Sequence, residues 1–127
     1  MKVTYVKNKK AIRNRSGLQR TSSIRAKQLE EAVGRTLSLL DISFMRVSNY
    51  RCFKCGQVQN APAKNWPDFF CYHPFLLAIE CKTGSGALTS GQHDVIYKLK
   101  SSGVKTLIVR DTVDSLFLWL KEKGYNI

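Results

Sequence analysis

Acidic residues are scarce in this chain. Its 127 residues hold 9 Asp and Glu against 21 Lys and Arg, a net charge of +12, and no acid precedes Glu30. That excess of basic charge points to a polyanionic partner, nucleic acid first, with a membrane surface as the weaker alternative because no long basic amphipathic helix is evident. Long apolar runs are missing too. The longest near the C-terminus, Leu116–Leu120, is far too short to span a bilayer, and Met1–Lys10 lacks the apolar core of a signal peptide. A soluble, cytoplasmic protein with no membrane partner is therefore expected, and its four Cys are expected as thiols. There is no internal repeat, and the length suits one domain. A second CxxC is also absent. Cys52-Phe53-Lys54-Cys55-Gly56 reads as half of a zinc knuckle. Zn²⁺ at Cys52 and Cys55 would need Cys71 and His73, or a second copy of the chain, to complete four ligands. A β-turn with incidental thiols is the favoured reading.

In chain order, residues 1–21 read as a flexible basic arm and residues 22–127 as the folded domain. Lys7, Lys9, Lys10, Arg13, Arg15 and Arg20 are the arm's candidate phosphate contacts. A helix is expected from an N-cap at Ser22 or Ser23 to about Leu40, with Ala26, Leu29, Val33, Leu37 and Leu40 as its apolar stripe. Glu30 edges that stripe and should face the sheet, or else pair with Lys27 or Arg35, whereas Glu31 belongs to a polar face. A strand over 43–49 carries Arg46, placed to reach a phosphate. Thr89-x-x-Gln92 reads as a capping box opening a second helix to Ser101, with Val95, Ile96 and Leu99 inward. A strand over 104–109 follows. Asp111 or Thr112 should cap a last helix with Val113, Leu116, Phe117 and Leu120 as its core face. Phe117 and Trp119 are alternatively a surface for a partner subunit. The order is α-β-β-β-α-β-α, an α/β chain with a mixed central sheet flanked by helices.

The stretch Trp66–Lys82 organises the rest. It reads as two apolar strands around a turn at His73-Pro74, yet Asp68, Glu80 and Lys82 are planted in it. Such residues are rarely buried unless paired or bound to something. Alternation puts Glu80 and Lys82 on one face of a strand and Cys81 on the other. Pairing across the turn brings Asp68 close to Glu80. Two carboxylates so placed repel unless a cation sits between them, and hard oxygen ligands favour Mg²⁺ or Mn²⁺. The plainer alternative is a turn residue at Asp68 and a cross-strand ion pair at Glu80 and Lys82.

Pro67-Asp68, eleven residues, then Glu80-x-Lys82 resembles the signature of the PD-(D/E)xK nuclease superfamily. From about Ser22 onward, the chain is most similar there to small VRR-NUC and Holliday junction resolvase-like enzymes, many of them phage-borne. The resemblance implies a restriction-endonuclease-like α-β-β-β-α-β core. It also implies a metal held by Asp68, Glu80 and the carbonyl of Cys81, with Glu30 assisting. Lys82 would act on the attacking water and the phosphate, and Gln92 would support the site. A Trp stands at position 66, where a Gly often precedes the Pro-Asp pair. The expected activity is a Mg²⁺-dependent DNA endonuclease acting on branched DNA as a homodimer, since one small chain holds one site. The alternatives are a nuclease for flaps, nicks or other DNA, and a non-catalytic nucleic-acid-binding protein with a structural CxxC turn.

Overall fold

The computed structural model describes residues 15–47 and 64–127, with side chains from residue 25 onward. Its elements are α1 (Arg15–Leu39), β1 (Ser43–Arg46), β2 (Phe69–His73), β3 (Leu77–Lys82), α2 (Ser90–Ser101), β4 (Lys105–Arg110) and α3 (Asp114–Glu122). The order is the expected α-β-β-β-α-β-α. One mixed sheet runs β1-β2-β3-β4, with antiparallel pairing at β1–β2 and β2–β3 and parallel pairing at β3–β4.

Helix α1 begins earlier than expected. Ser22 and Ser23 lie inside it rather than at its cap. Ser costs a helix only about half a kcal/mol against Ala. Neither Pro nor Gly interrupts the chain between Gly17 and the buried stripe of Leu29, Val33 and Leu37 that anchors the helix. Arg15 and Arg20 of the expected arm are thus helical, while Lys7, Lys9, Lys10 and Arg13 lie outside the described residues. The helix ends in a Schellman motif. Asp41 takes a left-handed φ of 59°, its N–H donates to Ser38 O at 3.1 Å, and the N–H of buried Ile42 donates to Leu37 O at 3.0 Å.

The sheet's two faces are covered unequally. On one, α1 and α3 bury Leu29, Val33, Leu37, Leu116 and Leu120 against Phe69, Leu77, Ile79 and Val109. On the other, Val95 and Leu99 of α2 pack on Phe70, Ala78 and Val104. Strand β1 is shorter than expected. Its ladder stops at Arg46, although Val47 N–H still donates to Asp68 O at 2.8 Å, and residues 48–49 lie outside the described set.

Helix α3 corrects two expectations. Its N-cap is Val113, which makes no side-chain cap bond. Asp111 reaches back to Gly84, and Thr112 Oγ1 accepts from Asp114 N–H at 3.3 Å in a local turn. Phe117 is 37% exposed, not core, since Val113, Leu116 and Leu120 already fill the inward stripe. Trp119 packs edge-on against Phe75 at 4.8 Å between centroids, with Lys123 Nζ 5.1 Å over its ring. Among the described residues no helix is long and apolar enough to cross a membrane.

Candidate active site

Strand β3 carries the site out of the core. Leu77, Ala78 and Ile79 are wholly buried, and Glu80, only 4% exposed, is the one buried charged side chain among the described residues. Cys81 and Lys82 are half-buried. The β2–β3 register pairs Phe69 with Ile79, so the next step out sets Asp68 opposite Glu80. The Asp68 carboxylate does not lie free. Its Oδ2 accepts from Cys81 N–H at 2.8 Å, which fixes it across the strand pair.

Gln92 joins the second half of the site. The capping box forms as expected, with Gln92 N–H donating to Thr89 Oγ1 at 3.1 Å and Thr89 N–H to Gln92 Oε1 at 2.9 Å. The same amide also reaches β3. Lys82 Nζ donates to Gln92 Oε1 at 3.1 Å, and Gln92 Nε2 donates to Glu80 Oε2 at 3.1 Å. Lys82 Nζ stands 3.6 Å from Glu80 Oε2. These partners define the amide's orientation, its oxygen towards two donors and its nitrogen towards the carboxylate. The amide that caps α2 is therefore also bonded to Lys82 and Glu80.

The turn after β3 delivers α2 to this position. Gly84 adopts φ 59°, where a side chain is disfavoured. Its N–H donates to Asp111 Oδ1 at 2.8 Å and its carbonyl accepts from Arg110 Nη1 at 2.8 Å. Asp111 N–H in turn donates to Lys82 O at 2.9 Å. This clamp escaped the sequence reading, because nothing local marks a residue at the end of β4 as a partner for a turn 27 positions earlier.

Glu30 does face the sheet, and Glu31 is exposed. The partner of Glu30 is neither Lys27 nor Arg35 but Arg46, whose Nη2 donates to Glu30 Oε1. Arg46 is half-exposed, and its guanidinium lies 5.5 Å over the Phe69 ring. It stands beside the carboxylates, already engaged. Between α1 and the end of β3 a cavity of about 190 Å³ is lined by Glu30, Leu29, Cys81, Lys82 and Gly86. A larger cleft of about 520 Å³, between α1 and residues 111–113, holds none of the three carboxylates and has less claim to be the site.

Electrostatics tie the carboxylates together. Burial, then the neighbouring Asp68 charge, pushes Glu80 up to about 7, although Lys82 opposes this. Burial raises Asp68, and burial followed by Asp68 raises Glu30. Glu80 and Glu30 are held back from ionising partly by the Asp68 charge, and Asp68 by burial alone; a divalent cation would offset that repulsion. The donor set is hard oxygen, which fits Mg²⁺ or Mn²⁺. Among the described residues no three ligand side chains already converge on one point. Asp68 is turned to Cys81 N–H, Glu80 to Gln92 and Lys82, and Glu30 to Arg46, so a cation would compete with those partners.

The sulfur residues contribute little here. Cys71 is wholly buried in apolar surroundings that push its thiol up to about 12. Cys52 and Cys55 lie outside the described residues. Burial also raises the Cys81 thiol well above its ordinary range. His73 and His93 are exposed and take no part in the network. Compared with family models, curated proteins and solved structures, the chain matches none.

Proposed function

We propose that this chain is a divalent-metal-dependent endodeoxyribonuclease of the PD-(D/E)xK kind, with a restriction-endonuclease-like core, cutting branched DNA as a homodimer. The observation that carries the reading is Glu80. It is a buried carboxylate opposite Asp68, hydrogen-bonded to Gln92 and beside the Lys82 ammonium. Burying a charge this deeply costs several kcal/mol unless it is compensated, and a site that needs a carboxylate there explains why the cost is borne. Asp68, Glu80, Glu30 and the carbonyl of Cys81 would hold Mg²⁺ or Mn²⁺. The cation would supply an acidified water and a polarised phosphoryl group.

The chain's own residues supply the rest. Lys82, tethered by Gln92, places positive charge where a phosphate gains negative charge. Gln92 holds Lys82 and Glu80 in one geometry. Arg46 and the basic N-terminal residues offer contacts to the backbone of a polyanion, in keeping with the net charge of +12.

The ion pairs Glu30–Arg46 and Glu80–Lys82 favour one alternative, a nucleic-acid-binding protein without catalysis. One panel separates the readings: a labelled four-way junction, a flap, a linear duplex and a single strand, each with Mg²⁺ and with EDTA. Symmetric Mg²⁺-dependent nicks at the junction are expected. Equal cutting of all four removes the junction preference, and binding without cutting in Mg²⁺ or Mn²⁺ leaves the binder.

A further inference from the structure

Trp66 lies outside the network described above, yet it stands two residues from Asp68 and 37% exposed. We propose that Trp66 is a stacking platform for an unpaired nucleobase beside the phosphate to be cut. The inference deepens the nuclease reading and rests on it.

Phe70 packs against the ring, and the residues on either side of Trp66 in the chain are anchored. The next residue, Pro67, is fully buried, so the backbone under Trp66 is anchored in the core. Phe70 meets the indole edge-on, with centroids 6.5 Å apart and planes at 75°, and Phe70 itself packs into the cluster of Ala78, Leu99 and Val104. On the other flank, Asn65 adopts φ 70° and lies flush on the first turn of α2, where a Cβ on Gly91 would sit 2.4 Å from Asn65 Nδ2. Gln92 is the next residue along that helix. Trp66 thus follows directly on Asn65, which packs on the turn of α2 that leads into Gln92, and it remains partly open to solvent.

Its surroundings suit a base better than a paired helix. Ala78, Glu80 and Lys82 alternate onto the same face of the sheet as Phe70, Tyr72 and Met45. Tyr72 is 55% and Met45 54% exposed, so apolar surface continues away from Trp66 on the part of that face that α2 leaves open. Exposed Lys64 precedes it, in a chain of net charge +12, which is complementary to a nucleic-acid backbone. Aromatic rings stack on any base whose face is open, whereas in a duplex both faces are covered by neighbouring pairs. An indole so placed would therefore select strands with open bases, such as forks, flaps and branch points.

The test uses the full chain carrying Trp119→Phe, which leaves Trp66 as the sole tryptophan. Its emission is followed in EDTA during titration with a forked duplex bearing thymine arms and with a blunt duplex of equal length. Quenching by the fork and not by the blunt duplex is expected. Trp66→Ala should weaken fork binding by about tenfold or more relative to the blunt duplex, and Trp66→Phe should retain most of it. Binding of both DNAs without quenching, or equal weakening of both by Trp66→Ala, overturns the platform and leaves the nuclease reading standing. Emission that shifts with protein concentration in the absence of DNA assigns the surface to a second copy and also overturns it. If neither DNA binds, the DNA reading falls, and this inference with it.

Discussion

The side-chain amide of Gln92 donates to the buried carboxylate of Glu80 at 3.1 Å, tying the first turn of α2 to the last buried position of β3. The same amide accepts from Lys82 Nζ. Gln92→Leu keeps the volume but leaves Glu80 without its amide donor and Lys82 without its amide acceptor. A group that orients a metal ligand is worth about 10–100-fold in activity, so on the proposed nuclease reading single-turnover cleavage should fall by that much. Thermal stability should fall by about 1 kcal/mol with the lost capping bond. An unchanged rate would reduce Gln92 to a helix cap.

Glu80 sets the pH dependence of the metal-free chain. Its folded pKa is about 7 against an ordinary 4.5, raised by burial first and Asp68 second. Between those values the folded chain keeps a proton that the unfolded chain has released. Its contribution to stability is therefore fully present below pH 4.5 and lost as pH rises through 7. Asp68 and Glu30 are shifted in the same direction. Melting temperatures in EDTA should drop between pH 5 and pH 8, and Glu80→Gln should flatten the drop. Affinity for Mg²⁺ should rise over the same window, because the ligands must be ionised to bind it.

The two adjacent acids of α1 should behave differently. Glu30 is bonded to Arg46 and coupled to Asp68, whereas Glu31 points to solvent. Glu30→Ala should slow cleavage by about tenfold or more, and Glu31→Ala should leave both rate and stability, within about 0.5 kcal/mol, where they were. Equal rates in the two variants would remove Glu30 from the site.

Much of this was legible in the sequence because it depends on period alone. Spacing of four placed Leu29, Val33 and Leu37 inward, and alternation put Glu80 and Lys82 on one face. Pro67-Asp68 and Glu80-x-Lys82 flank a turn, so their proximity follows from hairpin pairing. What escaped depends on contacts between distant segments. Arg46 pairs with Glu30 across 16 positions, and Asp111 holds Gly84 rather than capping α3. The capping role of Gln92 could be read locally, but its bonds to Lys82 and Glu80 exist only because the turn at Gly84 folds α2 back over β3.

Gly34 lies in the interior of α1, where a Cβ would meet Phe69 Cε2 at 3.7 Å and Phe44 Cζ at 3.9 Å, ordinary contact distances. Gly34→Ala should therefore stabilise the chain by about 0.5–1 kcal/mol, seen as a higher urea midpoint with an unchanged slope. A lower midpoint would mean that α1 sits closer to β1 and β2 than these distances allow.

The most direct measurement compares wild type with Glu80→Gln for cleavage and for affinity on one four-way junction in Mg²⁺. The variant should bind at least as tightly, having lost a negative charge, while its cleavage rate falls by about 100-fold or more. Cleavage by Glu80→Gln at the wild-type rate, or tight binding by wild type with no cleavage at all, would contradict the account.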